Sequence, residues 1–164
     1  MQSAHPDTQL VLVGDGPDRA RWQQQCPDAV FAGTLRGNDL ARAYASADVF
    51  LFGSMTETFG NVVPEAMASG LAVLAYDHAA AGDLIEHGVN GQIAPLANRK
   101  AFLRMAARLA IDAGRVERLG QQARATALAL DWQRIVMGIE NEYRATLAAR
   151  QLAKPAHFPA LQPQ

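Results

Sequence analysis

The chain has 164 residues, 49% of them apolar, so it can bury one sizeable core but is too short for two ordinary domains of about 100–150 residues each. Its 15 basic and 16 acidic residues give a formal net charge of -1 with no block of like charges, which argues against nucleic acid as a partner. A single cysteine, Cys26, excludes an internal disulfide and fits a reducing compartment, so we expect a cytoplasmic protein.

The sequence carries no secretory, membrane-spanning or metal-binding pattern. No basic segment followed by an apolar stretch opens the chain, and no window approaches the ~20 apolar residues of a spanning helix. The four histidines are scattered, without the spacing that metal sites use. We therefore expect no signal peptide, no membrane span and no metal held by this chain alone.

Strands and helices are predicted to alternate in the first half of the chain. Short apolar runs bordered by turn residues predict strands that are buried on both faces, at residues 10–13, 29–32, 48–52 and 71–75. Helices are predicted between them, at residues 18–25, 38–47 and 61–69. This alternation indicates an α/β fold, a single Rossmann-like domain whose parallel sheet has helices on both faces.

Beyond a turn at residues 87–91, HGVNG, the pattern becomes helical. Apolar residues are spaced for one buried helix face at Phe102, Leu103, Ala106, Leu109 and Ala110. Further helices are predicted at residues 115–130 and 132–150.

The last eleven residues contain prolines at positions 155, 159 and 163, so a helix cannot continue there. We therefore predict one domain over residues 1–150 and a poorly ordered, proline-containing tail over residues 151–164.

A glycine-rich turn follows the first predicted strand. Residues 13–19 read VGDGPDR and lead from a strand into a helix, which invites comparison with the GxGxxG fingerprint of dinucleotide-binding domains. The comparison fails because Arg19 stands where close packing of helix on strand requires a small residue. We interpret the segment as a tight turn in which Pro17 is preset for the first helical turn, rather than as an NAD or FAD site.

The most informative segment is residues 54–70, SMTETFGNVVPEAMASG. It begins just past the carboxyl end of the third predicted strand, where ligands of open α/β sheets bind. Gly60 allows close approach of the backbone, and a helix that starts near Asn61 would present unsatisfied N–H groups. These features favour a phosphate-binding site.

Two glutamates lie on either side of this predicted helix start. Glu57 falls in the loop before it, and Glu65 falls a little over one turn inside it. A carboxylate accepts hydrogen bonds from neighbouring hydroxyls, so such a pair beside a phosphate site suits a nucleotide sugar. The alternative is that Glu57 is a solvated loop residue and Glu65 a charge on the helix surface.

The surrounding residues resemble the signature of retaining GT-B glycosyltransferases. That signature is a Glu-x7-Glu with Phe-Gly inside it and Glu-Ala-Met-Ala-x-Gly at its end, and residues 57–70 supply every element. The likeness extends over residues 10–142 and includes GDGP, FAG, ADVFL and NG. It is strongest to bacterial mannosyl- and sulfoquinovosyl-type transferases, because DHAAA at residues 77–81 replaces the more usual glycine-rich turn.

The resemblance implies roles for individual residues. Glu57 is implied as the catalytic residue, placed at the hydroxyls of the donor sugar, and Glu65 as the residue at the ribose. The remaining donor-binding residues implied by the family lie near the base, the sugar or the diphosphate and are Thr34, Leu35, Arg36, Thr58, Phe59, Gly60, Asn61 and Val62.

The resemblance also implies an activity: transfer of a hexose from a nucleoside diphosphate sugar, GDP-mannose first or a UDP-sugar second, to an acceptor hydroxyl with retention. No cofactor beyond this substrate is expected. The family's Arg and Lys that neutralise the diphosphate come from a strand and a helix before the GDGP turn, and they are missing from these residues. The family's N-terminal acceptor domain is missing as well, and peripheral membrane contact is expected only through that domain. The alternatives are a non-catalytic nucleotide-sugar-binding module and, on weaker grounds, an epimerase that shares the fold.

Overall fold

The computed structural model describes residues 8–152, which form an α/β fold. Its strands are β1 (Val11–Val13), β2 (Val30–Gly33), β3 (Val49–Phe52), β4 (Ala72–Tyr76) and β5 (Gln92–Ala94). Its helices are α1 (Arg19–Gln25), α2 (Gly37–Ala45), α3 (Val62–Ala68), α4 (Ala79–Leu84), α5 (Arg99–Leu109), α6 (Ala113–Leu128) and α7 (Trp132–Leu152). The chain divides into two compact units, one ending at Ala129 and the other beginning at Leu130.

Every strand pair in the first unit is parallel, as the alternation of strands and helices predicts. β1 pairs with β2, and β3, β4 and β5 form a second sheet in that order. The register of β3 on β4 runs from Val49 opposite Ala72 to Phe52 opposite Ala75. The sequence did not predict β5 or α4, because each is short and lacks a clear apolar period.

Strand β4 forms the centre of the core, and all five of its residues are buried. Val73 and Ala75 pack with residues of α3 and α4, while Ala72 and Leu74 pack with residues of α5 and α6. Successive side chains of a strand point to opposite faces, so helices cover both faces of this sheet. The predicted layer architecture is therefore confirmed.

The prediction that the first two strands are buried on both faces is wrong. Val11 is 50% exposed, Val13 45% and Val30 48%. The reason is that β1 and β2 pair only with each other among residues 8–152, and the helices α1 and α2 bury none of their own residues against them.

The predicted buried face of α5 is wrong at one position. Its buried residues are Ala101, Ala106 and Leu109, whereas Leu103 is 50% exposed. At 3.6 residues per turn, Leu103 lies about 200° around the helix from Ala101 and so projects away from the core.

The second unit begins at Leu130, and the part of it that the structure describes, residues 130–152, is mostly the 21-residue helix α7. Several of its apolar side chains are exposed, among them Met137, Ile139 and Tyr143. No helix in the part of the chain that the structure describes is long and apolar enough to cross a membrane. Residues 153–164, most of the predicted tail, lie outside the described residues.

Candidate functional site

The candidate site is the loop of residues 53–61, which leaves the carboxyl end of β3 and enters α3. Its conformation depends on Gly60, whose φ of +89° lies in the region that L side chains rarely adopt. A Cβ on Gly60 would lie 3.5 Å from Cγ of Glu57 and 3.7 Å from Cε1 of Phe52. The loop therefore folds tightly, with the Glu57 side chain and the end of β3 close to the Gly60 backbone.

A main-chain hydrogen bond holds this loop against the next one. The N–H of Ala80, near the start of α4, donates to the carbonyl of Phe59 at 2.8 Å. Ala79 beside it has a positive φ of 49°, although it carries a side chain. Because β3 and β4 are parallel neighbours, the two loops leave the same edge of the sheet, and this bond fixes their spacing.

The loop presents a run of free backbone donors. Val63 N–H donates to the carbonyl of Gly60 at 3.0 Å and Glu65 N–H to that of Asn61 at 3.1 Å, which begins α3. The preceding main-chain N–H groups, those of Thr58, Phe59, Gly60, Asn61 and Val62, donate to no acceptor within residues 8–152. All five residues are half-buried or exposed, and none is buried in the core.

The two glutamates lie where the sequence predicts. Glu57 is in the loop and half-buried, and Glu65 is in the first turn of α3 with an exposed side chain. That Glu57 binds a sugar and Glu65 a ribose stays a prediction.

Glu65 has a partner that the sequence reasoning missed. The hydroxyl of Tyr44, in α2, donates to Oε2 of Glu65 at 3.2 Å. Burial, then the negative charge of Glu65, then this hydrogen bond raise the pKa of Tyr44 to about 12. The only signal in the sequence was that Leu40 and Tyr44 are four residues apart on a predicted helix, a spacing that also suits an ordinary core aromatic.

Tyr44 belongs to a row of aromatic rings under the loop. It packs edge-on against Phe50 of β3, with ring centroids 5.9 Å apart and an interplanar angle of 60°. Phe50 stacks in turn on Phe52, at 5.8 Å and 15°. Phe52 then contacts the Gly60 region, so the row connects α2 to the candidate loop.

The residues predicted near the base lie after β2. Thr34 and Arg36 are exposed and Leu35 is half-buried. The carbonyl of Arg36 accepts a hydrogen bond from Asp39 N–H at 3.2 Å as α2 begins. No hydrogen bond or ion pair between described side chains joins these three residues to residues 53–61, so their assignment stays a prediction.

The far end of α3 is held by α6. Nη1 of Arg124 donates to the carbonyl of Ala68 at 2.7 Å, which satisfies one of the carbonyls left open at the helix end.

Across the described residues, no group of three or more His, Cys, Asp or Glu side chains could hold a metal ion.

Comparison with known proteins identifies the family. Residues 1–112 match the family model described as glycosyl transferases group 1. The chain is 41% identical over 150 residues to the GDP-mannose-dependent alpha-mannosyltransferase of Mycolicibacterium smegmatis. The aligned region covers 92% of this chain and 40% of that protein. It is also 35% identical over 142 residues to sulfoquinovosyl transferase SQD2 of Arabidopsis thaliana, and this aligned region covers 84% of this chain and 28% of SQD2.

A solved structure gives the same answer for the fold. Anabaena HepE in complex with UDP-glucose superposes with a TM-score of 0.66 at 26% identity, over 88% of this chain and 42% of that chain. The chain thus spans less than half the length of each of these three proteins. The resemblance to GT-B glycosyltransferases is confirmed, and the chain belongs to the group 1 glycosyl transferases.

Proposed function

We propose that this chain is the donor-binding half of a glycosyltransferase and binds a nucleoside diphosphate sugar at residues 57–65. One observation carries the proposal: five consecutive main-chain N–H groups that donate to no acceptor within residues 8–152 lie between two glutamates, at the carboxyl edge of a parallel sheet. Backbone N–H groups bind phosphate oxygens, and carboxylates accept hydrogen bonds from sugar hydroxyls.

The two carboxylates take different parts of this ligand. Glu57 precedes the N–H groups and binds the hydroxyls of the donor sugar, where it positions the sugar and does not attack it. Glu65 follows them and binds the ribose. Thr34, Leu35 and Arg36 lie by the base.

GDP-mannose is the first candidate for the donor and a UDP-sugar is the second. The mannosyltransferase relative is named for its dependence on GDP-mannose, and at 41% identity it is the stronger guide. HepE, at 26% identity, was solved with UDP-glucose and supports the second candidate.

Transfer to the acceptor hydroxyl proceeds with retention by attack on the same face of the sugar from which the diphosphate leaves. Stabilisation of the departing diphosphate supplies much of the catalysis. The N–H groups that bind it already point toward the negative charge that develops in the transition state, so they need not reorganise during the reaction. The acceptor is held by a further domain, which completes the cleft and makes any peripheral contact with a membrane. The basic groups that bind the diphosphate come from a strand and a helix before the GDGP turn. The enzyme works in the cytoplasm and needs no metal ion.

The second candidate function is a nucleotide-sugar-binding module without turnover. It is favoured by the fact that both carboxylates and the N–H groups proposed to bind the donor lie within one short stretch, residues 57–65. The two functions share the ligand and differ in whether any form of the protein transfers sugar.

Calorimetric titration with GDP, GDP-mannose, UDP and UDP-glucose tests the binding site. We expect Glu65→Ala to weaken binding of the free nucleotide and Glu57→Ala to remove mainly the extra affinity that the sugar contributes. Glu117→Ala, an exposed glutamate on α6, is the matched control and should bind as the unmodified chain does. Equal losses for nucleotide and nucleotide sugar in both variants would reject the division of roles, and no binding of any of the four ligands would reject the function.

A transfer assay separates the enzyme from the binding module. The chain is incubated with labelled donor and a cell extract as acceptor source, and the assay is repeated with the full-length reading frame. We expect transfer only from the longer protein, because an open half-cleft cannot hold donor and acceptor at near-attack distance. Transfer by the chain alone would contradict the half-enzyme, and a reading frame that adds no second domain would favour the binding module.

A further inference from the structure

Among the described residues, the Tyr44 hydroxyl is the only side-chain group that hydrogen-bonds either of the two site carboxylates. We propose that Tyr44 is a positioning residue for donor recognition, whose hydroxyl holds the Glu65 carboxylate in place to receive the ribose hydroxyls. This inference rests on the proposed function, because it assumes a ribose at Glu65.

The tyrosine ring is fixed independently of Glu65. It is half-buried against the main core cluster and packs edge-on against Phe50, which stacks on Phe52. Edge-to-face packing of aromatic rings is favourable and directional, so the hydroxyl projects from a constrained ring. A carboxylate bound to it gives up rotational freedom before the ligand arrives.

The geometry leaves acceptor capacity for the ligand. Tyr44 occupies one position on Oε2, and Oε1 of Glu65 has no hydrogen-bond partner within residues 8–152. An ionised carboxylate offers about four acceptor positions, so two ribose hydroxyls can still be bound. With its pKa at about 12, the phenol keeps its proton at neutral pH and acts toward the carboxylate as a donor.

A simpler role for the same contact is to tie α2 to α3. If the contact only links the two helices, its removal would lower the stability of the protein and would weaken the binding of every nucleotide by the same factor. If the contact positions Glu65, its removal would weaken only the part of the affinity that depends on the ribose hydroxyls. The two roles are therefore separated by ligands with and without those hydroxyls.

The test compares the binding of GDP with that of 2′,3′-dideoxy-GDP by calorimetry, or of the matching UDP pair if only UDP binds. The proteins are the unmodified chain, Tyr44→Phe, Glu65→Ala and the double variant. The measured quantity is the ratio of the two dissociation constants. In the unmodified chain we expect dideoxy-GDP to bind at least about tenfold more weakly, as two hydrogen bonds to a charged group would give. Tyr44→Phe should lower this ratio severalfold. Glu65→Ala should bring it close to one, because neither nucleotide then has a carboxylate for its ribose, and the double variant should give the same ratio as Glu65→Ala.

Tyr143→Phe makes the same chemical change at an exposed tyrosine of α7 and should keep the original ratio. Phe at position 44 retains the ring contacts, and circular dichroism checks that it folds. If it does not fold, the unmodified chain labelled with 3-fluorotyrosine replaces it. The fluorine resonance of Tyr44 should then shift with GDP and not with the dideoxy nucleotide.

An unchanged ratio in Tyr44→Phe, with both ligands weakened equally, overturns the positioning role and leaves the donor site standing. The same holds for a Tyr44 fluorine resonance that responds equally to both nucleotides. If the unmodified chain binds neither the nucleotides nor their sugars, the proposed function fails and the role of Tyr44 fails with it.

Discussion

Gly120 in α6 lies so close to the main chain of Gly70 that a Cβ on Gly120 would overlap the Gly70 carbonyl oxygen. Gly70 lies just past the end of α3 and has a φ of +82°. Its N–H donates to the carbonyl of Met67, and the N–H of Leu71 donates to the carbonyl of Ala66. These two bonds form the Schellman motif, which satisfies the last carbonyls of a helix. The helix that carries Glu65 is therefore anchored at its far end by backbone contact with α6.

Gly120→Ala should accordingly destabilise the protein, because the obstructing atom is backbone and cannot rotate away. Overpacking of this kind costs about 1–3 kcal/mol. Gly114→Ala in the same helix is the control, since its Cβ would meet only Arg118 Nη1 at 3.5 Å and Asp112 Oδ1 at 3.9 Å. We expect that variant to be neutral or more stable by up to about 1 kcal/mol. Urea unfolding measures both, and equal midpoints would show that the contact at Gly70 does not constrain α6.

Asn90 should be among the most sensitive polar positions. Its side chain is buried, its Oδ1 accepts from Glu86 N–H at 2.7 Å, and its Nδ2 donates to the Leu84 carbonyl and to Thr126 Oγ1, both at 3.0 Å. Asn90→Ala leaves buried partners unpaired and should cost about 1–3 kcal/mol.

Asn90→Asp sharpens this test because it preserves the shape and the acceptor. It faces the Leu84 carbonyl with an acceptor in place of a donor, so we expect a larger loss than in Asn90→Ala at pH 7. Denaturant midpoints rank the variants. An aspartate variant as stable as the original would mean that the Nδ2 hydrogen bonds contribute nothing.

The positive φ of Ala79 should make glycine the better residue there. An L residue in the left-handed region costs roughly 1–2 kcal/mol, part of which glycine returns as extra freedom of the unfolded chain. We expect Ala79→Gly to stabilise by about 0.5–1 kcal/mol. Ala107→Gly, inside α5, is the contrasting variant and should destabilise by about 1 kcal/mol. Thermal melts give both signs, and a loss of stability in Ala79→Gly would contradict the strain at this turn.

Ionisation of Tyr44 should be visible at alkaline pH. Its pKa is raised from 10.0 to about 12, so the folded state holds this proton more tightly than the unfolded state. The resulting stability is present below pH 10 and is lost as the pH rises through 12. Tyrosine absorbance followed against pH, as the difference between the unmodified chain and Tyr44→Phe, should show a step near pH 12. Glu65→Gln should move that step toward 10, and a step that stays in place would mean that Glu65 plays no part in it.

Nucleotide binding should survive chelation. Among the described residues, no group of three potential metal ligands occurs and the N–H groups of residues 58–62 have no acceptor, so in the proposed site these N–H groups would take the place of a cation. EDTA is therefore expected to leave the dissociation constant of GDP nearly unchanged. A loss of tenfold or more, about 1.4 kcal/mol, would reveal a metal in the site.

The sequence predicted the central fold well for a physical reason. All five residues of β4 are buried and those of its neighbour β3 are half-buried, and burial is what an unbroken apolar run indicates. The same pattern failed at β1 and β2, since whether an apolar run is covered depends on which segments pack beside it. Leu103 shows the limit within a helix, where one apolar residue on the wrong side of the cylinder breaks an otherwise correct face.

The candidate site divides in the same way. The places of Glu57, Gly60 and Glu65 in the loop and at the helix start could be predicted, because local spacing defines a loop and a helix start. Tyr44 was missed because it lies 21 residues before Glu65, and only the packing of α2 on the core brings the two together. The hydrogen bond between Phe59 and Ala80 is equally remote in sequence and involves backbone atoms, which residue identity does not report.

The arrangement of strands also determines how the protein opens. β4 is paired on both sides and covered by helices on both faces, so its amides should exchange with solvent only in nearly complete unfolding. β1 and β2 are exposed and, within the described chain, hydrogen-bonded to one neighbour each, so they should open in low-energy fluctuations. The residues assigned to phosphate and sugar thus follow β3, the neighbour of the most protected strand, while those assigned to the base follow one of the least protected. Under the proposed function, substitutions after β2 should therefore alter selectivity for the base at little cost to the fold. Substitutions that alter binding of the diphosphate should cost more stability, because they lie beside the protected core.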